Sequence, residues 1–400
     1  MSAQVELHAS RQGPRFRTLP PLSLYIHIPW CVRKCPYCDF NSHEARSEIP
    51  EARYVDALIA DLEQSLPLIW GRRIYTIFFG GGTPSVFSAD AIDAILSAVR
   101  ARAPLSIDAE ITLEANPGTF ESVKFAGYRA AGVNRLSIGI QSFNPAHLKA
   151  LGRVHDAEQA RAAIAIARTH FDNFNLDLMY ALPGQTLSEA QADLRAALSF
   201  EPPHLSLYHL TIEPNTYFHR YPPHVPDDDT AAEMQDATAL LLREAGYEHY
   251  ETSAYSRPGQ RSRHNLNYWR FGDYVGIGAG AHSKLSFPER IVRQTRHRQP
   301  REYMEQALAG AAMQNESAVG TNDIPFEFMM NALRLNEGFE LSLFEERAGL
   351  PLVTVLRALD EAQRRGLVMR DHQRVAPTPL GQRFLNDLLQ IFLPETRARH

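Results

Sequence analysis

Short strand-forming segments alternate with helical segments along the first half of the sequence, and this alternation constrains the fold more than any other feature. Six strands are predicted, at 23–28, 74–79, 110–114, 135–141, 174–179 and 205–210. Apolar residues at helical spacing lie between them, notably in 54–66, 89–102, 157–168 and 187–198. Such alternation predicts an α/β fold of repeated βαβ units with a parallel sheet. Right-handed crossovers can close that sheet fully or partly into a barrel.

Residues of distinctive chemistry stand where five successive predicted strands end. The first strand runs into a cysteine loop, and the second runs into Gly80-Gly81-Gly82-Thr83-Pro84. The next three strands place Glu114, Gln141 and Asp177 at their carboxyl ends. Because ligands of parallel sheets bind just beyond these ends, we expect the five features to surround one site.

The rest of the chain predicts smaller units around this core. We divide the sequence into a polar lead-in (1–20), the barrel (21–220), an extension of the barrel (221–310) and a C-terminal unit (311–400). In the last unit, helical segments precede a short apolar run and a polar turn, an order that resembles a winged-helix module. Such modules bind DNA or serve as packing units. The formal net charge of −5 favours packing.

Charge and hydropathy also bound the partners and the compartment. A net charge of −5 lacks the basic surplus that a broad nucleic-acid surface needs, so we expect no nucleic-acid partner. No apolar run approaches the roughly 18 residues of a membrane span. The first residues lack the charged-then-apolar pattern of a secretion signal. These features predict a cytoplasmic protein.

The three cysteines of the chain, Cys31, Cys35 and Cys38, fall within eight residues. Thiolates suit iron–sulfur clusters and zinc, and closed sites of either kind usually have four protein ligands. Three cysteines alone would leave one iron of a 4Fe-4S cluster open to a small ligand. A structural zinc site, with His27 or His43 as the fourth ligand, is the alternative.

The spacing Cys-x3-Cys-x2-Cys, with Tyr37 before the last cysteine, resembles the signature of radical S-adenosylmethionine (radical SAM) enzymes. The resemblance implies a partial (β/α)6 TIM-like barrel. It also implies that the open iron chelates the methionine end of S-adenosylmethionine, whose cleavage releases a 5′-deoxyadenosyl radical. The residues that match cofactor-binding positions of the family are Tyr25, Tyr37, Gly81, Gly82, Thr83, Glu114, Gln141, Arg153 and Asp177. Taken singly, each of them could instead serve a tight turn, a helix cap or the surface.

Two further stretches resemble particular branches of this family. Tyr25 to Cys31 is similar to the start of oxygen-independent coproporphyrinogen III dehydrogenase, which carries a further cysteine where this chain has Phe40. The stretch from His264 to Trp269, which reads His-Asn-x-x-Tyr-Trp, resembles the heme-chaperone branch. Resemblance to that branch implies that the chain binds heme and forms a homodimer. It also implies heme-accepting proteins as partners, some of them membrane-associated.

The chemistry of the second stretch is compatible with heme. His264 could ligate or hydrogen-bond heme, beside Asn265, while Tyr268 and Trp269 offer flat apolar surface. Alternatively, His264 and Asn265 satisfy buried backbone groups, and the two aromatic rings fill the core. The leading hypothesis is therefore a heme chaperone that carries a cluster and S-adenosylmethionine. Radical decarboxylation of coproporphyrinogen III is the alternative activity, and a structural zinc protein is the third.

Overall fold

The structure is a computed structural model that describes residues 13–118 and 123–394. Residues 1–12 of the predicted lead-in and 395–400 of the predicted C-terminal unit lie outside the described residues. The strands are β1 (Leu22–Ile28), β2 (Trp30–Cys31), β3 (His43–Glu44), β4 (Ile74–Gly81), β5 (Leu105–Ala115), β6 (Arg135–Gln141), β7 (Phe174–Tyr180), β8 (His204–His209), β9 (Glu248–Glu251), β10 (Ala254–Ser256), β11 (Asp273–Ile277), β12 (His282–Phe287), β13 (Arg290–Arg296), β14 (Met313–Ala318), β15 (Phe339–Glu340), β16 (Val368–Arg370) and β17 (Arg374–Pro377).

The α-helices of the described residues follow the predicted alternation through the barrel. Those of the barrel and its extension are Glu51–Ser65, Ala89–Arg102, Phe125–Ala131, Pro145–Ala150, Ala157–His170, Leu187–Leu198, Tyr217–Arg220, Asp228–Glu244, Arg263–Trp269 and Pro300–Leu308. Those of the C-terminal part are Ile324–Ala332, Leu341–Ala348, Val353–Arg364, Pro379–Arg383 and Leu385–Gln390. Within the described ranges, no helix has the length and apolar character that crossing a bilayer requires.

One large mixed sheet organises the described part of the chain. Its strand order is β14-β13-β12-β11-β1-β4-β5-β6-β7-β8-β10-β9. The strands from β11 to β8 in this order run parallel, and those beyond them pair antiparallel. Since β14 and β9 end the order of the described strands, the parallel strands form an open, partial barrel. The predicted partial (β/α)6 barrel is confirmed, and all six predicted strands form.

Strand β11 is a further parallel strand, which the local sequence pattern does not predict. It pairs with β1 over Leu22 to Ile26, although about 250 residues separate the two segments, as for Leu22 and Asp273. Strands β12, β13 and β14 then continue the sheet as an antiparallel extension beyond β11. This extension forms a wall beside the mouth of the barrel, next to the cysteine loop.

The two faces of the barrel strands differ in chemistry. In β6, Leu136, Ile138 and Ile140 are fully buried and belong to the main hydrophobic core. Alternate residues face the lumen, where Ser137 Oγ donates to Asp177 Oδ2 over 3.0 Å. Because side chains alternate across a strand, one face builds the core under the helices while the other lines a polar interior.

The C-terminal part has a hydrophobic core of its own. The Phe328 ring lies 5.1 Å, centroid to centroid, from both Phe339 and Phe344. Helices precede the β16–β17 hairpin, which matches the predicted winged-helix-like order. Phe271 and Ile291 of the barrel extension belong to the same core, so this unit packs against the extension.

Candidate functional site

The cysteine loop leaves the carboxyl end of β1 and is fastened to the barrel extension. The side-chain amide of Asn41 donates to the carbonyl oxygens of Ala279 and Arg298, each over 2.9 Å. The carbonyl of Asn41 accepts a 2.9 Å hydrogen bond from His27 Nε2. Since His27 lies on β1 and Ala279 follows β11, these bonds hold the end of the loop across two adjacent strands.

The three thiols are free and half-buried in this loop. Burial, together with the neighbouring Cys38 and Cys35, raises the pKa of the Cys31 thiol to about 11, against a hydrogen bond with Thr83. A 3.2 Å backbone hydrogen bond from the N–H of Cys38 to the carbonyl of Cys35 closes the turn that carries the second and third thiols. In a 4Fe-4S cluster each cysteine binds a different iron, and three partly accessible thiols in one loop fit that demand.

The zinc alternative needs a histidine beside the cysteines. Both ring nitrogens of His27 are already used, by Asn41 and by the Tyr25 hydroxyl at 3.1 Å. Among the described residues, no three His, Cys, Asp or Glu side chains are arranged to hold a single metal ion. Neither His27 nor His43 therefore completes a single-ion site with the thiols in this arrangement.

The glycine-rich end of β4 packs tightly against the loop. Gly81 has a φ of +113°, and a Cβ atom there would lie 2.5 Å from Cε1 of His27. A Cβ atom on Gly82 would lie 2.6 Å from the carbonyl oxygen of Trp30. The backbone N–H of Thr83 donates to that same oxygen over 2.8 Å. Absent side chains thus allow β4 to approach the cysteine loop closely.

Arg153 joins the thiols to the ends of the neighbouring strands. Its guanidinium donates to Cys35 Sγ at 3.6 Å, to Asn116 Oδ1 at 2.7 Å and to the carbonyl of Gly139 at 2.9 Å. Its Nε is buried without a hydrogen-bond partner. Gln141, at the end of β6, has a φ of +61° and a buried Oε1 that also lacks a partner. Strained backbone and unpaired polar atoms together are typical of a ligand site.

The carboxyl groups of Glu114 and Asp177 influence each other inside the barrel. Burial and the charge of Asp177 raise the pKa of Glu114 to about 8, against a hydrogen bond from the backbone of Gly81. Burial also raises the pKa of Asp177, against hydrogen bonds from Asn175, Ser137 and Ser206. Asp177 lies in the middle of β7, which corrects its predicted place at the strand end. A lumen of this kind favours a cationic or hydroxyl-rich ligand.

The helix that carries the His264 motif lies near the amino ends of β1 and β4, away from the cysteines. His264 is 1% exposed, and its Nδ1 and Nε2 lie 2.8 Å from Thr76 Oγ1 and 3.0 Å from the Tyr268 hydroxyl. Burial lowers the pKa of His264 to about 3. The Thr76 hydroxyl donates to Ser23, so it accepts from Nδ1–H, and Nε2 accepts from Tyr268. Direct ligation of iron by His264 would therefore require Tyr268 to move.

The other motif residues are half-buried on the same helix. The backbone N–H of Asn265 donates to the capping Ser262 Oγ over 3.3 Å. The Trp269 ring lies under the guanidinium of Arg334, 4.4 Å from its centroid. Tyr268 packs edge-to-face on Tyr274 with a centroid separation of 4.7 Å. Tyr268 is thus the motif residue that reaches the cavity described next.

A cavity of about 640 Å³ connects these regions. Its wall includes Gly81 and Glu114 at the cofactor end and Tyr25 and Tyr268 from the barrel interior. The rest of the wall comes from β1, β11, the cysteine loop and the extension, namely His27, Tyr274, Asp39, Phe40, Asn41, Gly280, Ala281, His282, Thr295, Arg296, Arg298 and Gln314. This volume lies in the usual range for cofactor-sized ligands.

The chain is similar to known proteins over most of its length. The radical SAM superfamily matches residues 25–197, and the HemN C-terminal domain matches residues 321–384. Heme chaperone HemW of Escherichia coli (strain K12) is 51% identical over 379 residues, which cover 94% of this chain and 99% of that protein. The chain belongs to the HemW family. Heme chaperone HemW of Haemophilus influenzae is 48% identical, over 94% of this chain and 99% of its own.

Relatives extend beyond bacteria and beyond HemW. The mitochondrial radical S-adenosyl methionine domain-containing protein 1 of Mus musculus is 35% identical, over 97% of this chain and 93% of its own. Among solved structures, coproporphyrinogen III oxidase (HemN) from Escherichia coli has a TM-score of 0.80 and 25% identity, covering 94% of this chain and 90% of that one. Membership of the HemW family, with its radical SAM domain, implies a 4Fe-4S cluster and S-adenosylmethionine.

This HemW-family site also contains residues that the sequence motifs do not mark. Asn116 bridges Arg153 and Thr83, donating to Thr83 Oγ1 over 3.2 Å. Its position in a strand-ending Asn-Pro-Gly turn was a usable signal, because such turns lie at the ligand edge of parallel sheets. His282 and Arg298 of the extension carried no comparable local signal.

Proposed function

We propose that this HemW-family protein binds heme and transfers it to acceptor proteins, with a 4Fe-4S cluster and S-adenosylmethionine bound beside the cargo. The observation that carries the proposal is the 51% identity to a heme chaperone across 94% of this chain. Two features of the molecule support it. The position where the coproporphyrinogen dehydrogenase has a further cysteine is occupied by Phe40, and a large aromatic-lined cavity adjoins the cysteine loop.

Within this proposal, Cys31, Cys35 and Cys38 hold three irons of the cluster. The bound cluster would supply an electron and one open iron for the methionine end of S-adenosylmethionine. Gly81, Gly82 and Thr83 form the backbone face beside it, and Tyr37 packs against Phe218 at 6.4 Å, centroid to centroid.

The remaining cofactor contacts come from the lumen. Arg153 suits the methionine carboxylate, because its guanidinium already lies beside Cys35 and its Nε has no partner. Glu114 and Asp177 suit the ammonium group or the ribose hydroxyls, and Gln141 offers its unpaired Oε1. Tyr25 lines the same cavity as Glu114 and Tyr268 and would contact both ligands.

In this proposal, the His264 motif positions Tyr268 on the cavity wall. His264 fixes the Tyr268 hydroxyl, and Tyr268 lines the cavity. Asn265 and Trp269 support the same helix. The functional units proposed are the barrel (21–220), its extension with this motif (221–310) and the C-terminal unit (311–400), after a lead-in (1–20). Heme-accepting proteins, membrane-associated ones among them, and a homodimer belong to the proposal as partners.

The second candidate function is oxidative decarboxylation of coproporphyrinogen III. The structural similarity to HemN, with a TM-score of 0.80, favours it. Phe40 opposes it, since the dehydrogenase carries a cysteine at that position. Structural zinc binding is the third candidate, and metal analysis of the purified protein decides it.

The test uses the full chain, reconstituted anaerobically with iron and sulfide. Hemin is added, excess is removed by desalting, and heme per protein is measured before and after addition of an apo-hemoprotein acceptor. We expect close to one heme per chain and its transfer to the acceptor. Protein that retains no heme would refute the chaperone function. Formation of protoporphyrinogen from coproporphyrinogen, with reductant and S-adenosylmethionine present, would establish the second candidate instead.

A further inference from the structure

The extension wall of the cavity carries an exposed histidine, His282, at the start of β12. We propose that heme binds in this cavity with His282 as its axial iron ligand and with Arg298 paired to a propionate. The inference rests on the proposed heme-binding function and assigns the site of that binding. It differs from the sequence-based expectation, which gave the ligand role to His264.

Availability of the ring nitrogens distinguishes His282 from His27, the other histidine of the cavity wall, and from His264. His27 is buried, and its two nitrogens bond Tyr25 and Asn41. His264 is 1% exposed and bonds Thr76 and Tyr268. Within residues 13–118 and 123–394, the His282 ring makes no hydrogen bond or ion pair. Partial burial, Arg293 and Arg298 lower the pKa of His282, which keeps the ring neutral, as an iron ligand must be.

The tyrosines of the wall are poorer ligands for iron. A phenol ligates iron as the phenolate. Burial raises the pKa of Tyr25 and of Tyr268 well above the usual range for tyrosine. Tyr274 accepts a 2.8 Å hydrogen bond from Arg293, and burial raises its pKa as well. The three hydroxyls thus remain neutral, and an accessible imidazole is the stronger donor.

Phe40 supplies a flat apolar surface that a ligand could bury. Its side chain is 65% exposed, although it adjoins the cavity. Exposed aromatic groups at a cavity mouth are typical of a ligand-binding wall. A porphyrin face would cover Phe40, and the edge-to-face pair of Tyr268 and Tyr274 would meet it from the barrel side.

Charge on the wall suits the carboxylates of heme. Arg296 is committed to an ion pair with Asp61 at 2.8 Å. In the described part of the chain, the Arg298 guanidinium makes no ion pair, and the residue is exposed. Asp39 also lines the cavity and would repel a propionate, so the propionates are placed on Arg298.

The experiment titrates hemin into the anaerobically reconstituted full chain and records the Soret band and the electron paramagnetic resonance spectrum. His282→Ala should shift both spectra and weaken hemin binding by about tenfold or more, since one iron–nitrogen bond is worth at least ~1.4 kcal/mol. Added imidazole should restore the wild-type spectrum to this variant. Arg298→Ala should weaken binding of hemin but leave binding of hemin dimethyl ester unchanged.

Matched variants separate a ligand role from a structural one. His372→Ala, an exposed histidine in the turn between β16 and β17, should leave the spectra unchanged. His264→Gln should lower stability yet retain the coordination spectrum. Should His282→Ala fold poorly, His282→Gln with imidazole rescue gives the same readout. If wild-type protein binds hemin and the His282 variants keep its spectrum and affinity, the inference is wrong and the proposed function stands. If wild-type protein retains no hemin, both are wrong.

Discussion

Replacing Gly81 by alanine tests whether the cofactor edge depends on contact between β4 and His27. The φ of +113° at Gly81 is unfavourable for alanine. The new Cβ would lie 2.5, 2.6 and 2.7 Å from Cε1, Nδ1 and Nε2 of the His27 ring. The ring cannot turn aside without losing its bonds to Tyr25 and Asn41. Backbone strain and overpacking therefore act together.

The magnitude follows from these two contributions. A left-handed conformation costs a non-glycine residue about 1–2 kcal/mol. Forcing extra volume into a packed site costs about 1–3 kcal/mol. We expect Gly81→Ala to lower the free energy of unfolding by about 2–5 kcal/mol, a large part of the roughly 5–15 kcal/mol available to a domain. Gly71→Ala is the control, because φ is +73° there and no atom lies within 4 Å of the added Cβ. It should cost only the strain, about 1–2 kcal/mol.

Urea unfolding of the cluster-free protein, followed by circular dichroism and tryptophan fluorescence, measures both variants. In a double-mutant cycle, Gly81→Ala combined with His27→Ala should cost less than the two changes added, by about 1–3 kcal/mol, because the clash is then absent. S-adenosylmethionine should also bind Gly81→Ala more weakly than Gly71→Ala. Equal destabilisation by Gly81→Ala and Gly71→Ala, or additive costs in the cycle, would refute the packing argument.

Three further predictions concern buried charge and the cofactor edge. The pKa of Glu114 is raised from 4.5 to about 8, so its contribution to stability is full below pH 4.5 and is lost as the pH rises through about 8. As the pH rises, the thermal unfolding temperature of Glu114→Gln should accordingly fall less than that of the wild type. Parallel curves of unfolding temperature against pH would contradict this. Asp273→Ala should cost about 3–5 kcal/mol in thermal unfolding, because buried Lys284 (3.1 Å) and Arg72 (2.8 Å) would lose their carboxylate. A cost below about 1 kcal/mol would show the pairs to be unimportant. Asn116→Ala removes the hydrogen bonds that link Thr83 to Arg153. It should weaken S-adenosylmethionine binding, measured by calorimetry, by roughly 5- to 30-fold, or about 1–2 kcal/mol. Loss of thermal stability without loss of affinity would contradict that role.

The barrel was predictable because its signals are local. A short apolar run marks each of the six strands, and apolar residues at helical spacing mark the helices between them. Capping boxes at Asp156 and Thr186 reinforce two of these helix starts. Strand β11 lacks such support. It is short, contains Gly276 and finds its partner β1 through a contact between distant parts of the chain. Pairing of that kind leaves no mark in a local pattern.

The cofactor edge was predictable for the same reason, with one systematic error. Residues at strand ends converge because parallel strands share an edge: Thr83 after β4 donates to Trp30 beside the cysteines, and Arg153 joins Cys35 to Gly139 of β6. Asp177 was misplaced because β7 continues past it to Tyr180. Its side chain still faces the lumen, since residues two apart along a strand share a face. The role of Asp177 therefore depends on the alternation of the strand and not on its end.

The His264 motif shows what a local pattern leaves undetermined. Sequence identifies the residue types but not which end of the barrel the helix occupies, and the structure places it near the amino ends of β1 and β4. From there His264 contacts the cavity wall through its 3.0 Å hydrogen bond to Tyr268. A change at His264 should then alter heme binding indirectly, by releasing Tyr268 and costing stability. A change at His282 should alter iron coordination itself. Stability and coordination are separable measurements, so the two histidines can be told apart even when both variants bind less heme.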